Sequence, residues 1–180
     1  MEYDFTLRFK LQAATYSVEQ LIERLGEAGC DDATVGIGQS GRIALNFTRE
    51  SASASDAVLS AIRDIRGAIP GAELIEAAPD YVGLTDVADL VGMSRQNLRK
   101  LMASHLDFPT PVHSGTHSQV WHLEIVLQWL QARATYQIEP QLIELAHVAQ
   151  QCNLAREASK LEPAAQQRLR ELVTAEPQAS

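Results

Sequence analysis

Residues 84–130 read LTDVADLVGMSRQNLRKLMASHLDFPTPVHSGTHSQVWHLEIVLQWL. The stretch opens on a short helical pattern in which Val87, Ala88 and Val91 point inward and Thr85 offers a cap. Gly92 interrupts it, and Ser94 caps a second helix two residues later, so two short helices meet at a glycine turn. On the second helix Leu98, Leu101 and Met102 share a face. Gln96, Arg99, Lys100 and Ala103 lie opposite, with Arg95 and Asn97 on the flanks. After Phe108-Pro109 the residues Val112 to Ser114 and Gln119 to His122 form a hairpin pattern around Gly115. A third helix follows, with Val126, Trp129 and Leu130 apolar.

Helix, glycine turn, helix, β wing and closing helix together predict a winged helix-turn-helix. Ser94 to Lys100 contains no acid, and its outward groups are an amide, a guanidinium, an ammonium and one small residue. Arginine can fork onto guanine and glutamine onto adenine in the major groove, while Ala103 permits close approach. The free amides beside Ser94 can hold a phosphate. In the wing, His113, Thr116, His117, Ser118 and Gln119 offer neutral donors to a phosphate backbone.

The run Leu84 to Lys100, the Phe108-Pro109 pair, and Val120-Trp121 leading to Trp129-Leu130 resemble the MerR-like and AlpA-like (excisionase-type) helix-turn-helix regulators over about 50 residues. That resemblance implies a second helix in the major groove and a wing on the backbone of double-stranded DNA. The residues implied are Arg95, Gln96, Arg99 and Lys100 from the helix, with the 113–119 loop from the wing; Ser94 at the helix start and Asn97 on its flank complete the candidate set. Wings of that group carry arginines. Here the loop reads His113-Ser-Gly-Thr-His-Ser-Gln119, which weakens long-range attraction rather than changing the mode of binding.

Upstream, residues 1–79 predict a ferredoxin-like βαββαβ unit. Tyr3, Phe5, Leu7, Phe9 and Leu11 alternate with polar residues as a half-buried strand. Ser17-Val-Glu-Gln20 is a capping box ahead of the stripe Val18, Leu21, Ile22, Leu25 and Ala28. Val35 and Ile37, then Ile43, Leu45 and Phe47, mark two strands of a hairpin. Serines 51, 53 and 55 offer caps for a second helix with Ala54, Ala57, Val58, Ala61, Ile62, Ile65 and Ile69 apolar. Ala72 to Ala77 supply a last strand. The hairpin contains a trap, because Gly36-Ile-Gly38-Gln-Ser-Gly41 spells G-x-G-x-x-G. A dinucleotide site needs a helix to start there, and Arg42 to Thr48 alternates as a strand instead. No cofactor is expected.

Residues 135–180 predict a C-terminal helical extension. Pro140 opens a helix whose Leu142, Leu145, Ala149 and Cys152 form a short seam, suited either to packing on the winged helix or to a dimer contact. Pro163 opens a shorter helix with Leu169, Leu172 and Val173, and AEPQAS forms a tail. The boundaries fall near Ala78-Pro79-Asp80 and between Tyr136 and Pro140, giving units 1–79, 80–134 and 135–180 in an α+β chain.

Composition narrows the function classes. An apolar content of 46% and 21% charged residues exclude overall disorder. No apolar run exceeds three residues, too few for a membrane span, and MEYDFTLRFKLQ lacks the basic and apolar regions of a signal peptide. With the lone Cys30 and Cys152, a cytoplasmic location is expected. Neither Asp31-Asp32 nor any other group joins a nucleophile–base set, so no enzyme is expected. The three histidines His113, His117 and His122 lack metal-ligand spacing and fit the wing surface better than a metal site. The net charge of −8 speaks against an indiscriminate polyanion binder, but residues 1–79 hold 12 acidic and 7 basic side chains and account for most of it.

The expectation is a sequence-specific transcriptional repressor that binds a palindromic operator as a homodimer. The alternatives are a protein-binding module of antitoxin or adaptor type and a metabolite-sensing regulator, both acting through the N-terminal unit.

Overall fold

The computed structural model describes residues 1–12, 16–38, 41–116, 118–133 and 136–173. His117, the centre of the Gly38–Gly41 turn and the 175–180 tail lie outside the described residues.

The chain is a mixed α+β protein with two antiparallel sheets. The first is built from β1 (Glu2–Lys10), β2 (Ala33–Ile37), β3 (Arg42–Glu50) and β4 (Glu73–Ala78), in the order β2-β3-β1-β4. Alternation sets its faces. Tyr3, Phe5, Leu7 and Phe9 of β1 and Ile43, Leu45 and Phe47 of β3 are buried, with Phe5 opposite Phe47 and their rings stacked at 5.0 Å. The opposite face is polar, with cross-strand pairs Thr6–Asn46 and Asp4–Thr48.

Helix α1 (Val18–Glu27) starts at the expected capping box, in which Ser17 and Gln20 bond reciprocally. Only part of its apolar stripe is covered: Leu21 and Leu25 are buried, whereas Val18 and Ile22 are exposed. Helix α2 (Ala54–Ala68) takes Ser53 as its cap, and its Ala57, Val58, Ala61 and Ile65 are fully covered.

The second sheet joins β5 (Tyr81–Val82), β6 (His113–Ser114) and β7 (Gln119–His122) in the order β5-β7-β6. Around it lie α3 (Leu84–Leu90), α4 (Arg95–Ser104) and α5 (Leu123–Gln131). The cap of α3 differs from expectation. Gly83 occupies the position, and Asp86 reaches back to accept its N–H at 2.7 Å, leaving Thr85 inside the helix. At the turn Gly92 has φ +67°, a left-handed conformation that favours glycine, and Ser94 caps α4 by accepting the Asn97 N–H. Leu98, Trp121, Leu123, Leu127 and Leu130 form the local core.

Helix α6 (Pro140–Ala158) packs against α2, β4 and α5. Leu145 and Ala149 belong to the first core and Ala146 to the second, so one helix closes both. Of the Leu142–Cys152 seam, Leu145 and Ala149 are buried within the chain, while Leu142 and Cys152 are half-buried. Helix α7 (Pro163–Val173) buries no residue and leaves Leu169, Leu172 and Val173 exposed. No helix among the described residues is long and apolar enough to cross a membrane.

The boundary expected near Ala78-Pro79-Asp80 is a buried junction. Asp80 and Asn153 are both wholly covered. Asn153 donates to Ala77 O (2.8 Å) and Asp80 Oδ2 (2.7 Å) and accepts the Ala77 N–H (2.9 Å). The other Asp80 oxygen holds His122 Nδ1 at 2.7 Å, which corrects the expectation that His122 lies on the wing surface. Both Asp80 carboxylate oxygens and the whole Asn153 amide have partners, as burial demands.

Candidate nucleic-acid interface

The N-terminal half of α4 and the wing turn face each other across a groove of about 610 Å³. Leu98, fully buried, fixes the rotation of α4, with Leu101 and Met102 on its side of the helix and packed on the same core. Arg95 and Arg99 enter the groove from the helix, and Thr116, Ser118 and Gln119 enter from the wing. Trp121 and Met102 line it. At the helix start, the Arg95 and Gln96 amides have no intrahelical acceptor, leaving two backbone donors beside the two guanidiniums.

The wing turn is held by the Gly115 N–H, which donates to Ser118 O at 2.8 Å. A Cβ on Gly115 would stand 3.3 Å from the His113 ring and 3.4 Å from Ser118 O, so glycine keeps the turn tight. On the far side of α4, His105 stacks edge-on against Trp129 at 5.5 Å. Asp107 accepts two bonds from Arg133 (3.0 and 2.7 Å) and one from Trp129 Nε1, while the Arg133 guanidinium sits 3.4 Å from the Trp129 ring centre. These contacts tie the end of α4 to α5. The hydrogen bonds from Arg133 hold the Asp107 carboxyl below its ordinary range. Trp121 Nε1 donates to Pro109 O at 2.9 Å and anchors the strand entering the wing.

The expected residues thus divide. Arg95, Arg99, Thr116, Ser118 and Gln119 converge on the groove. Gln96, Asn97 and Lys100 are exposed on α4 without lining it, and Ser94 is engaged as the cap. His113 is exposed in β6, where its ring lies over Gly115. His117 lies outside the described residues. Sequence reading missed one member, Asp86. Its carboxylate lines the same groove while bonded to Gly83, so two guanidiniums stand against one acid there. No local signal could have found it, since its place depends on how α3 lies against α4.

Among the described residues no cluster of His, Cys, Asp and Glu could hold a metal ion. No protein-family model, curated protein or solved structure matches this chain.

Proposed function

We propose that the chain is a sequence-specific DNA-binding regulator of transcription, with residues 80–134 acting as a winged helix-turn-helix and residues 1–79 as a ferredoxin-like domain. The observation that carries this reading is the groove in which Arg95 and Arg99 of α4 face Thr116, Ser118 and Gln119 of the wing turn. A helix delivering guanidiniums and a hairpin delivering neutral donors to one concavity suits simultaneous contact with base edges and phosphates. Beyond the groove, Gln96, Lys100 and Ala103 form an exposed ridge that can enter the major groove. With few cations per copy, phosphate neutralisation is small, and two copies on a palindromic operator supply the affinity. Repression by occupancy is the proposed mode of action, and the cytoplasm the proposed location.

Selection from a random duplex pool, followed by gel shifts on the enriched site, tests this. Arg99→Ala is expected to weaken a specific site by about 1–3 kcal/mol and relax the preference at one base. The logarithm of affinity should fall by about 0.9 per neutralised phosphate against the logarithm of salt, giving a shallow slope. If the double variant Arg99→Ala, Lys100→Ala binds like the unaltered protein, or no sequence is enriched, the assignment fails.

A further inference from the structure

A second concavity, of about 710 Å³, lies between the first sheet and α6, away from the α4 groove. Its apolar walls come from Ile62 of α2, Ala72 and Leu74 at the β4 edge, and Cys152 and Ala155 of α6. Burial pushes the Cys152 thiol above its ordinary range, so it remains a neutral wall group. The charged lining is one-sided. Lys10, Arg66, Arg156 and Lys160 stand around the cleft against the single carboxylate of Glu73, in a chain whose net charge is −8. Glu157, on the outer side of α6, pairs with Lys160 at 2.9 Å and with Arg156.

We infer that this cleft is a binding site for an amphipathic organic anion, with a carboxylate or phosphate head among Arg66, Arg156 and Lys160 and an apolar body over Leu74 and Ala155. Its volume falls in the range of small-molecule sites, and so does its make-up, an apolar surface with a few convergent polar groups. The helix that walls it carries Asn153, which holds Ala77 and Asp80, and through Asp80 the wing strand at His122. The Arg156 charge also lies close enough to act on the Tyr81 phenol of β5. An occupant therefore touches the element joining the two cores. That it acts as an effector of DNA binding rests on the function proposed above.

The full chain is titrated with the fluorescent sulfonate 8-anilinonaphthalene-1-sulfonate, and the bound dye is then competed with octanoate, octyl phosphate, acetate and inorganic phosphate. Saturable binding is expected, displaced by octanoate or octyl phosphate, the better of the two identifying the head group, and not by acetate or inorganic phosphate. Arg66→Glu, at an exposed position with no hydrogen bond or ion pair among the described residues, should weaken binding at least about ten-fold, as loss of a charge-assisted contact does. Ala155→Trp should block it by filling the cleft; both variants are checked for an unchanged thermal midpoint. Dye binding that both variants leave intact, or that the short anions displace equally, overturns the site. Gel shifts with and without saturating octanoate then address the effector role: a change in DNA affinity supports it, and an unchanged affinity overturns it. If no DNA is bound under either condition, the regulator and effector roles both fall while competition still establishes the site.

Discussion

Asn153 donates to Asp80 across 2.7 Å from 73 residues further along the chain, and neither side chain touches solvent. The bond joins α6 to the segment leading into the second sheet, and Asn153 also closes two bonds to the Ala77 backbone. Asn153→Ala should therefore strand a carboxylate oxygen, an N–H and a carbonyl at once. A loss of about 3 kcal/mol in urea denaturation is expected, against about 1 kcal/mol for one ordinary hydrogen bond. A loss no larger than that of one bond would show that water replaces the amide.

Arg49 occupies an inward position of β3, following Ile43, Leu45 and Phe47 in the alternation. Its guanidinium is fully used: by Asp32 (2.6 and 3.0 Å), Asp64 (2.9 Å), Ser60 (2.9 Å) and Gly29 O (2.7 Å). The side-chain bonds to Asp32, foremost, raise its proton affinity further. Arg49→Met preserves much of the side-chain length but leaves two neighbouring carboxylates without their cation. It should cost about 3 kcal/mol in chemical denaturation. Restoring part of the loss with Asp64→Asn in the same chain would identify carboxylate repulsion as the cause.

These two clusters also mark where sequence reading stopped. Period-two alternation located β1 and β3, and the capping box and Gly92 located α1 and the helix pair, because those signals are local. Arg49 broke the alternation with a charge, and nothing nearby named Asp32 and Asp64 together as its partners. Asp80 stood beside Pro79 and read as part of a segment boundary. Its burial depends on Asn153, and only folding brings them together. Strand β5, two residues long, is too short to show any period, and its pairing with His122 and Trp121 emerges only in the sheet. At the groove, Arg95 and Arg99 were legible from helical phase, whereas Asp86 depended on how α3 crosses α4.

Asp107 gives an acid-limb test. Its hydrogen bonds from Arg133 favour the ionised carboxyl in the fold, so the folded value lies below the unfolded one. The stabilisation is complete above the unfolded carboxylate range and disappears as pH falls through the lower folded value. Asp107→Asn should be less stable than the unaltered protein at pH 7, and the difference should close as pH drops below roughly 4. Thermal midpoints at several pH values measure this; a gap that widens toward low pH would contradict it.

Cys30 is 3% exposed, and burial foremost pushes its thiol up to about 11. Since the thiolate is the reactive form, Cys30 should resist an aromatic disulfide reagent at pH 8 in the folded protein and react once urea unfolds it. Rapid labelling of Cys30 under native conditions would imply local opening beneath α1.

At Gly92, nothing lies within 4 Å of where a Cβ would stand. Gly92→Ala should accordingly cost only the left-handed backbone penalty, about 1 kcal/mol in denaturation, with no steric contribution. A much larger loss would place an unrecognised neighbour at the turn.

Helix α6, which closes both cores, limits how this protein can be rearranged. A recombination event that lifted residues 80–134 into another scaffold would leave behind α6, whose Ala146 belongs to that segment's core and whose Leu145 and Ala149 belong to the other. Under the proposed function, altering specificity should succeed by point changes along Arg95–Ala103 and fail by exchange of the whole segment. Helix α6 makes the two cores one structural unit.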